Sequence, residues 1–222
     1  PSEAPFRTLT SVPDPGRGPS SLAAFPAKRA AILVAHNPFV GLRRAVAALE
    51  NSQHREQLGI LVVDCASDDS TAELDEEFPG ITVQRLPENF GATKALNIAT
   101  RTARAEYLFL LSPDVEVAED TVARLAEKLD AQPGVTGVCP LLVGVDGNPV
   151  ARTLPFPDRH SVVQVRDGGE LGKVQIPDET LALERSVGLY PGREALMVRK
   201  QFVTGMNYFD QRFGEYWADA DL

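Results

Sequence analysis

The sequence predicts an α/β fold with a mostly parallel central sheet covered by helices on both faces. Three observations predict it. Short, continuous apolar runs such as Ala30–Ala35, Gly59–Asp64 and Tyr107–Leu111 read as strands buried on both sides. Segments with apolar residues at helical spacing alternate with them, for example Leu42, Ala45, Val46 and Leu49. Strict strand–helix alternation is the signature of right-handed crossovers, which bring the carboxyl ends of the strands to one edge.

The elements follow in order. Residues 1–28 are rich in Pro, Ser and Gly and are expected to form an arm or linker. AAILVA (Ala30–Ala35) is the first strand, and the helix carrying Leu42 to Leu49 ends near Asn51. GILVVD (Gly59–Asp64) is the second strand. Ser70-Thr71-Ala72-Glu73 has capping-box spacing and is expected to start a short helix. ITVQRL (Ile81–Leu86) is a third strand, and residues Ala92–Arg104 suit a helix. Tyr107–Leu111 is the fourth strand, followed by a helix with Val122, Leu125, Ala126 and Leu129 on one face. GVTGVCPLLV (Gly134–Val143) is expected to be a fifth strand, with Cys139 a small core residue. Asp146-Gly147 signals a hairpin turn toward Val150. Thr153–Arg185 reads as a long loop or insertion, and ALMVRK (Ala195–Lys200) as a late strand.

Composition narrows the function. The chain has 222 residues, 43% hydrophobic and 24% charged, with a net charge of −9. No basic cluster persists, so a nucleic-acid partner is not expected. Cys65 and Cys139 match neither a zinc spacing nor a redox pair. No apolar run has the length of a membrane span, and the N-terminus lacks a signal-peptide layout. These features fit a cytoplasmic protein, with peripheral association at the inner face of a membrane left open.

The alternation gathers polar residues at one edge: His36, Asn37, Asp64, Ser67, Asn89 and Asp114. Each has a bland reading. Asp114 sits in a Pro-containing turn, Ser67 to Ser70 suit helix capping, and Asn89-Phe90-Gly91 suits a plain turn. Each also has a chemical reading. Asp64 can accept a hydrogen bond from a nucleobase or ribose, and Gly91 allows close backbone approach to a ligand. Asp114 can hold a hard divalent cation against phosphate oxygens. A carboxylate among Glu215, Asp219 and Asp221, beside Tyr216 and Trp217, can deprotonate an acceptor hydroxyl. A dinucleotide site is disfavoured because no G-x-G-x-x-G follows Ala35. HNPFVGLRR likewise lacks the Gly-rich basic loop of a sugar nucleotidyltransferase.

Taken together, ILVAHN, LVVDCASDDST, ENFGATKALNIA, YLFLLSPDVEV and FDQRFGEYWADADL resemble the family-two inverting glycosyltransferases of GT-A fold. The resemblance is closest to the rhamnosyltransferase-like branch of bacterial cell-surface polysaccharide synthesis. It runs from about Ala30 to Leu222 and implies one GT-A domain over 29–222. Within it, 29–117 would be the nucleotide-binding half and 118–222 the acceptor-side half. It implies a Rossmann-like sheet and a nucleotide-diphosphate sugar donor, a UDP- or dTDP-sugar. The acceptor implied is a saccharide or lipid-linked hydroxyl, and the cofactor Mg2+ or Mn2+. The sequence leaves a homo-oligomer open. The resemblance carries donor roles to Ala35, His36, Asn37, Asp64, Ser67, Asp69, Asn89, Gly91 and Asp114, with Asp114 also the metal ligand. It carries acceptor roles to Trp217 and Glu215, and the role of acceptor-activating base to Asp219.

The chain departs from the family pattern in three places. Ser112 stands where the metal motif has its first Asp, and Ala218 where the Glu-Asp pair has its Glu. The family also continues beyond the position of Leu222, so the acceptor side is expected to be truncated. The alternative class is therefore a non-catalytic nucleotide-sugar-binding or scaffold domain of the same fold.

Overall fold

A computed structural model of the chain describes residues 27–150, 153–155 and 189–213. Most of the expected N-terminal arm and residues 156–185 of the expected long loop lie outside the described residues.

The strands are β1 (Arg29–Ala35), β2 (Leu58–Asp64), β3 (Thr82–Arg85), β4 (Tyr107–Leu111), β5 (Gly137–Val138), β6 (Thr153–Pro155), β7 (Leu189–Pro191) and β8 (Ala195–Arg199). The helices are α1 (Phe39–Glu50), α2 (Leu74–Glu77), α3 (Ala92–Thr102), α4 (Thr121–Ala131) and α5 (Lys200–Gly205). The main sheet has the order β3-β2-β1-β4-β8-β5, and β6 pairs with β7 in a separate ribbon. β3, β2, β1 and β4 are parallel, whereas β8 runs antiparallel to β4 and to β5. The fold is therefore the mixed, mostly parallel α/β sheet that the alternation implies.

Strand side chains alternate between two cores. Ala31, Leu33, Phe109 and Met197 pack toward α1 and α4, which contribute Leu42, Val46, Leu49, Val122 and Leu129. Ile32, Leu108, Leu110 and Val198 pack toward α3, which contributes Ala95, Leu96 and Ala99. Because both faces are covered, the strands lack a polar side and read as unbroken apolar runs. Tyr107 is fully buried in the first core, and its hydroxyl donates to Asp130 at 2.6 Å. Arg199 closes the far end of α4 by donating to the Leu129 carbonyl from Nη2 and to the Val135 carbonyl from Nε.

Three local expectations are corrected. Only Gly137 and Val138 of the expected 134–143 strand pair with β8, because the run sits at the sheet edge and turns away at Pro140. Cys139 is consequently exposed instead of buried in the core. The capping box at Ser70 does not cap. Asp69 does, its Oδ1 accepting from the Thr71 N–H at 3.0 Å at the start of a short 3-10 turn. The Asp146-Gly147 turn does form, with Gly147 at φ +77° and an isolated bridge between Val143 and Pro149.

Candidate functional site

Strand order fixes where a ligand can sit. From β1 the chain crosses to β2 on one side, while β4 lies on the other. Such a reversal opens a crevice at the carboxyl ends of the two strands. A cavity of about 270 Å3 lies there, on the α3 face. Ile32 and Val34 of β1 and Leu110 and Leu111 of β4 form its floor, and Ala92 and Leu96 of α3 its wall. Ser112 and Pro113 form part of the rim, with Arg193 and Glu194 opposite. Ser112 and Glu194 are tied together, the Ser112 N–H donating to the Glu194 carbonyl at 2.8 Å.

Arg193 and Glu194 are the rim residues that the sequence reading missed. They precede β8, and a residue before a strand belongs at the opposite edge of a parallel sheet. β8 is antiparallel, so Ala195 pairs with Leu111 and its N-terminal flank arrives at the ligand edge. The signal in the sequence is a charged pair between Gly192 and an apolar strand, which becomes informative only with the strand's direction.

The loops after β1 and β2 lie side by side, because Ala35 pairs with Asp64. They are stitched together by the residues given donor roles above. The His36 Nδ1 lies 2.9 Å from the Cys65 carbonyl oxygen, which can only accept, so Nδ1 is the protonated nitrogen. The Asn37 N–H donates to Ser67 Oγ, and the Asp68 N–H donates to Asn37 Oδ1 at 2.7 Å. Asp64 is buried, and its Oδ1 accepts from the Ser67 N–H at 3.1 Å. Asp69 reaches across, its Oδ2 accepting from the Phe39 N–H at 3.0 Å. That bond caps α1, whose N-cap position holds Pro38, a residue without a capping side chain. Asn37 and Ala66 both adopt left-handed backbone, at φ 56° each. For Ala66 that conformation costs on the order of 1 kcal/mol, which the surrounding bonds offset.

Burial, the largest single influence on Asp69, pushes its carboxyl up. The hydrogen bonds from Thr71 and Phe39 outweigh it together and hold the group below the usual carboxylate range. Cys65 begins the loop after β2 with its side chain buried in the core under α3, and burial, then the neighbouring Asp64 charge, pushes its thiol up to about 11.

Asp114 occupies the tip of the turn that follows β4, closed by the Val115 N–H donating to the Ser112 carbonyl at 3.1 Å. It is exposed, and among the described residues its carboxylate makes no hydrogen bond or ion pair. It lies against Gly41 in the first turn of α1, the same helix start that Asp69 caps. The structure thus brings Ala35, His36, Asn37, Asp64, Ser67, Asp69 and Asp114 around one helix N-terminus. Asn89 and Gly91 sit apart at the start of α3, where Asn89 Oδ1 accepts from the Gly91 N–H and Gly91 takes φ +83°. Glu215, Trp217 and Asp219 lie outside the described residues. The segment leading toward them is pinned to α3, since the buried Asn97 carboxamide donates to the Phe209 carbonyl and accepts from its N–H.

A divalent cation fits this donor set in one way. Among the described residues no three His, Cys, Asp or Glu side chains gather into a cluster. Asp114 offers a single free, hard oxygen donor, which suffices for magnesium or manganese when ligand phosphates and water supply the remaining positions.

An α/β domain with its crevice at the β1/β4 reversal is an architecture that binds ligands beyond the carboxyl ends of its strands. The chain belongs to glycosyl transferase family 2, whose model matches residues 30–199. The fold is that of S. aureus TarS 1–349 in complex with UDP, at 16% identity and a TM-score of 0.65, covering 87% of this chain and 53% of that one. A mannosyltransferase from Pyrobaculum calidifontis, in complex with GDP-Man and Mn2+, is similar at 19% identity and a TM-score of 0.61, covering 92% of this chain and 54% of that one. GalNAc-T7 with UDP, GalNAc and Mn2+ matches at 18% identity and a TM-score of 0.62, covering 86% of this chain and 38% of that one. This chain therefore spans about half the length of the TarS and mannosyltransferase structures or less of the third. No curated protein sequence matches it.

Proposed function

We propose that this chain is the donor-binding part of a glycosyltransferase that moves a sugar from a nucleoside diphosphate to a hydroxyl acceptor. The observation that carries the reading is the free Asp114 carboxylate in the turn after β4, one residue beyond the Ser112–Pro113 rim of the crevice, in a chain of glycosyl transferase family 2. Two structural neighbours hold manganese with nucleotide or nucleotide sugar, which supports a divalent cation here. Asp114 would hold that cation, whose chemistry when bound is to offset negative charge building on the departing diphosphate. Asp64 would accept a hydrogen bond from the base or ribose. The stitched loops would orient that carboxylate before the donor arrives.

Asp219 would take the proton of the attacking hydroxyl as it displaces the diphosphate from the opposite side, which inverts the anomeric centre. Trp217 and Glu215 would border the acceptor. The reading extends to UDP- or dTDP-linked hexosyl or deoxyhexosyl donors and to a saccharide or lipid-linked acceptor of bacterial cell-surface polysaccharide. That acceptor would be met at the cytoplasmic face of a membrane.

Calorimetric titration with UDP-, dTDP- and GDP-sugars, with and without Mn2+, tests the donor claim. One nucleotide should bind far more tightly with the metal, and equal weakness for all of them in both conditions rejects the reading. Asp219→Asn should abolish transfer while leaving that binding intact. Loss of donor binding in the variant would remove Asp219 from the base role. Ser112 in place of a second metal-motif carboxylate favours the other reading, a nucleotide-sugar-binding domain without turnover. Donor hydrolysis or transfer in the presence of Mn2+ separates the two.

A further inference from the structure

Gly41 is a misfit in its helix. It sits in the first turn of α1 with ordinary helical backbone, where glycine is the least favourable residue apart from proline. No left-handed conformation requires it. Its neighbours supply the reason. A Cβ at residue 41 would come to 3.0 Å from Asp114 Oδ1 and 3.0 Å from the Pro113 carbonyl oxygen. Both distances are tighter than ordinary van der Waals contact, so a side chain there requires the 112–114 turn to move.

That turn has little room to retreat. The Ser112 N–H is held by the Glu194 carbonyl at 2.8 Å, and Arg44 of α1 pairs with Glu116 at 3.3 Å. Val115 and Val117 are packed against the apolar core under α1 and α4. A push from residue 41 therefore falls on the Pro113 carbonyl and on the freest group in the turn, the Asp114 carboxylate. The partial positive charge at the start of α1 favours a carboxylate lying against it, and the missing Cβ lets it approach that closely.

We propose that Gly41 is a positioning residue for Asp114. By leaving out a side chain it lets the carboxylate rest against the start of α1, in the place from which it would meet a metal-bound diphosphate. The inference rests on the assignment of Asp114 as the metal-holding residue.

The test compares Gly41→Ala, Gly41→Ser and Asp114→Asn in the same chain, using Mn2+ with UDP as the probe. UDP affinity is measured by calorimetry with saturating Mn2+ and again with chelator, and the melting temperature is measured without ligand. Gly41→Ala should shift the melting temperature little, because the helix preference of alanine offsets the tight contact with the Pro113 carbonyl. It should weaken UDP binding in Mn2+ by about tenfold, the low end of the loss seen when a residue that supports a metal ligand is changed. Its UDP binding in chelator should match wild type, and Gly41→Ser should behave alike. A purely structural role would instead weaken UDP binding equally in Mn2+ and in chelator, which overturns the proposal. If Asp114→Asn removes the metal effect while both Gly41 variants keep it, this inference alone fails. If Asp114→Asn leaves the metal effect intact, the assignment of Asp114 fails and takes the inference with it.

Discussion

The loops after β1 and β2 and the turn after β4 converge on the same end of α1, yet they are built in opposite ways. In the first region nearly every polar group is already spent. His36, Asn37, Ser67 and Asp69 bond across the gap, and Asp64 holds the Ser67 N–H. In the second, Asp114 is exposed and free among the described residues. The first region has surrendered conformational freedom in advance, so under the proposed function a base or ribose meeting it would find fixed backbone. The second keeps a charge in reserve, and the backbone around it is held by packing and by the Ser112 N–H bond to the Glu194 carbonyl. Stability and binding should therefore separate between the two regions.

The largest effect expected is at Asp114. Asp114→Asn should remove the manganese-dependent part of UDP binding while leaving stability within about 0.5 kcal/mol, as for an exposed group without partners. Urea denaturation beside calorimetry measures both. A clear loss of stability would mean that Asp114 is a structural group and would erase the contrast.

Asp69 should show the reverse. Asp69→Ala removes the acceptor of two N–H groups and the cap of α1, and should cost about 1–2 kcal/mol in urea unfolding. UDP affinity should fall equally with and without Mn2+. The same bonds give a pH dependence whose sign is fixed. The folded Asp69 carboxyl lies below its unfolded value, so its contribution is present above about pH 4 and is lost as pH falls through the folded value. Hydrogen exchange of the Phe39 and Thr71 amides should accelerate over that acid range relative to amides of the central strands. Asp69→Asn should flatten the dependence. Unchanged protection down to complete acid unfolding would detach Asp69 from the network.

Much of the domain was legible because burial on both faces writes itself into composition. β1, β2 and β4 are continuous apolar runs, and α1 and α4 carry their apolar stripe at helical spacing. The polar strand ends were legible from topology alone. What was hidden depended on partners far along the chain or on strand direction. Asp69 caps a helix that begins thirty residues earlier, so no local spacing rule reveals it. Arg193 and Glu194 reach the rim only because β8 is antiparallel. Cys139 was misread because an apolar run at a sheet edge resembles one at its centre. Gly41 was invisible because its meaning lies in the atoms of Pro113 and Asp114, more than seventy positions away.

The smallest effect offers the finest probe of the contrast, because the two cysteines report on different places. Cys65 begins the stitched loop after β2 and is buried in the core under α3, where burial and Asp64 push its thiol up to about 11. At pH 8 such a thiol is ionised to roughly one part in a thousand, so labelling must await an opening of that loop. Cys139 is exposed and serves as the internal reference. A thiol reagent should label Cys139 quickly and Cys65 slowly in the wild-type chain. Asp69→Ala should speed Cys65 alone, since it removes the bond that ties the loop after β2 to the start of α1. Asp114→Asn should leave both rates unchanged, because its turn carries none of those bonds. Equal acceleration of Cys65 by both variants would show that the two regions open as one unit. The division between a preorganised face and a reserved charge would then give way to a single coupled loop cluster.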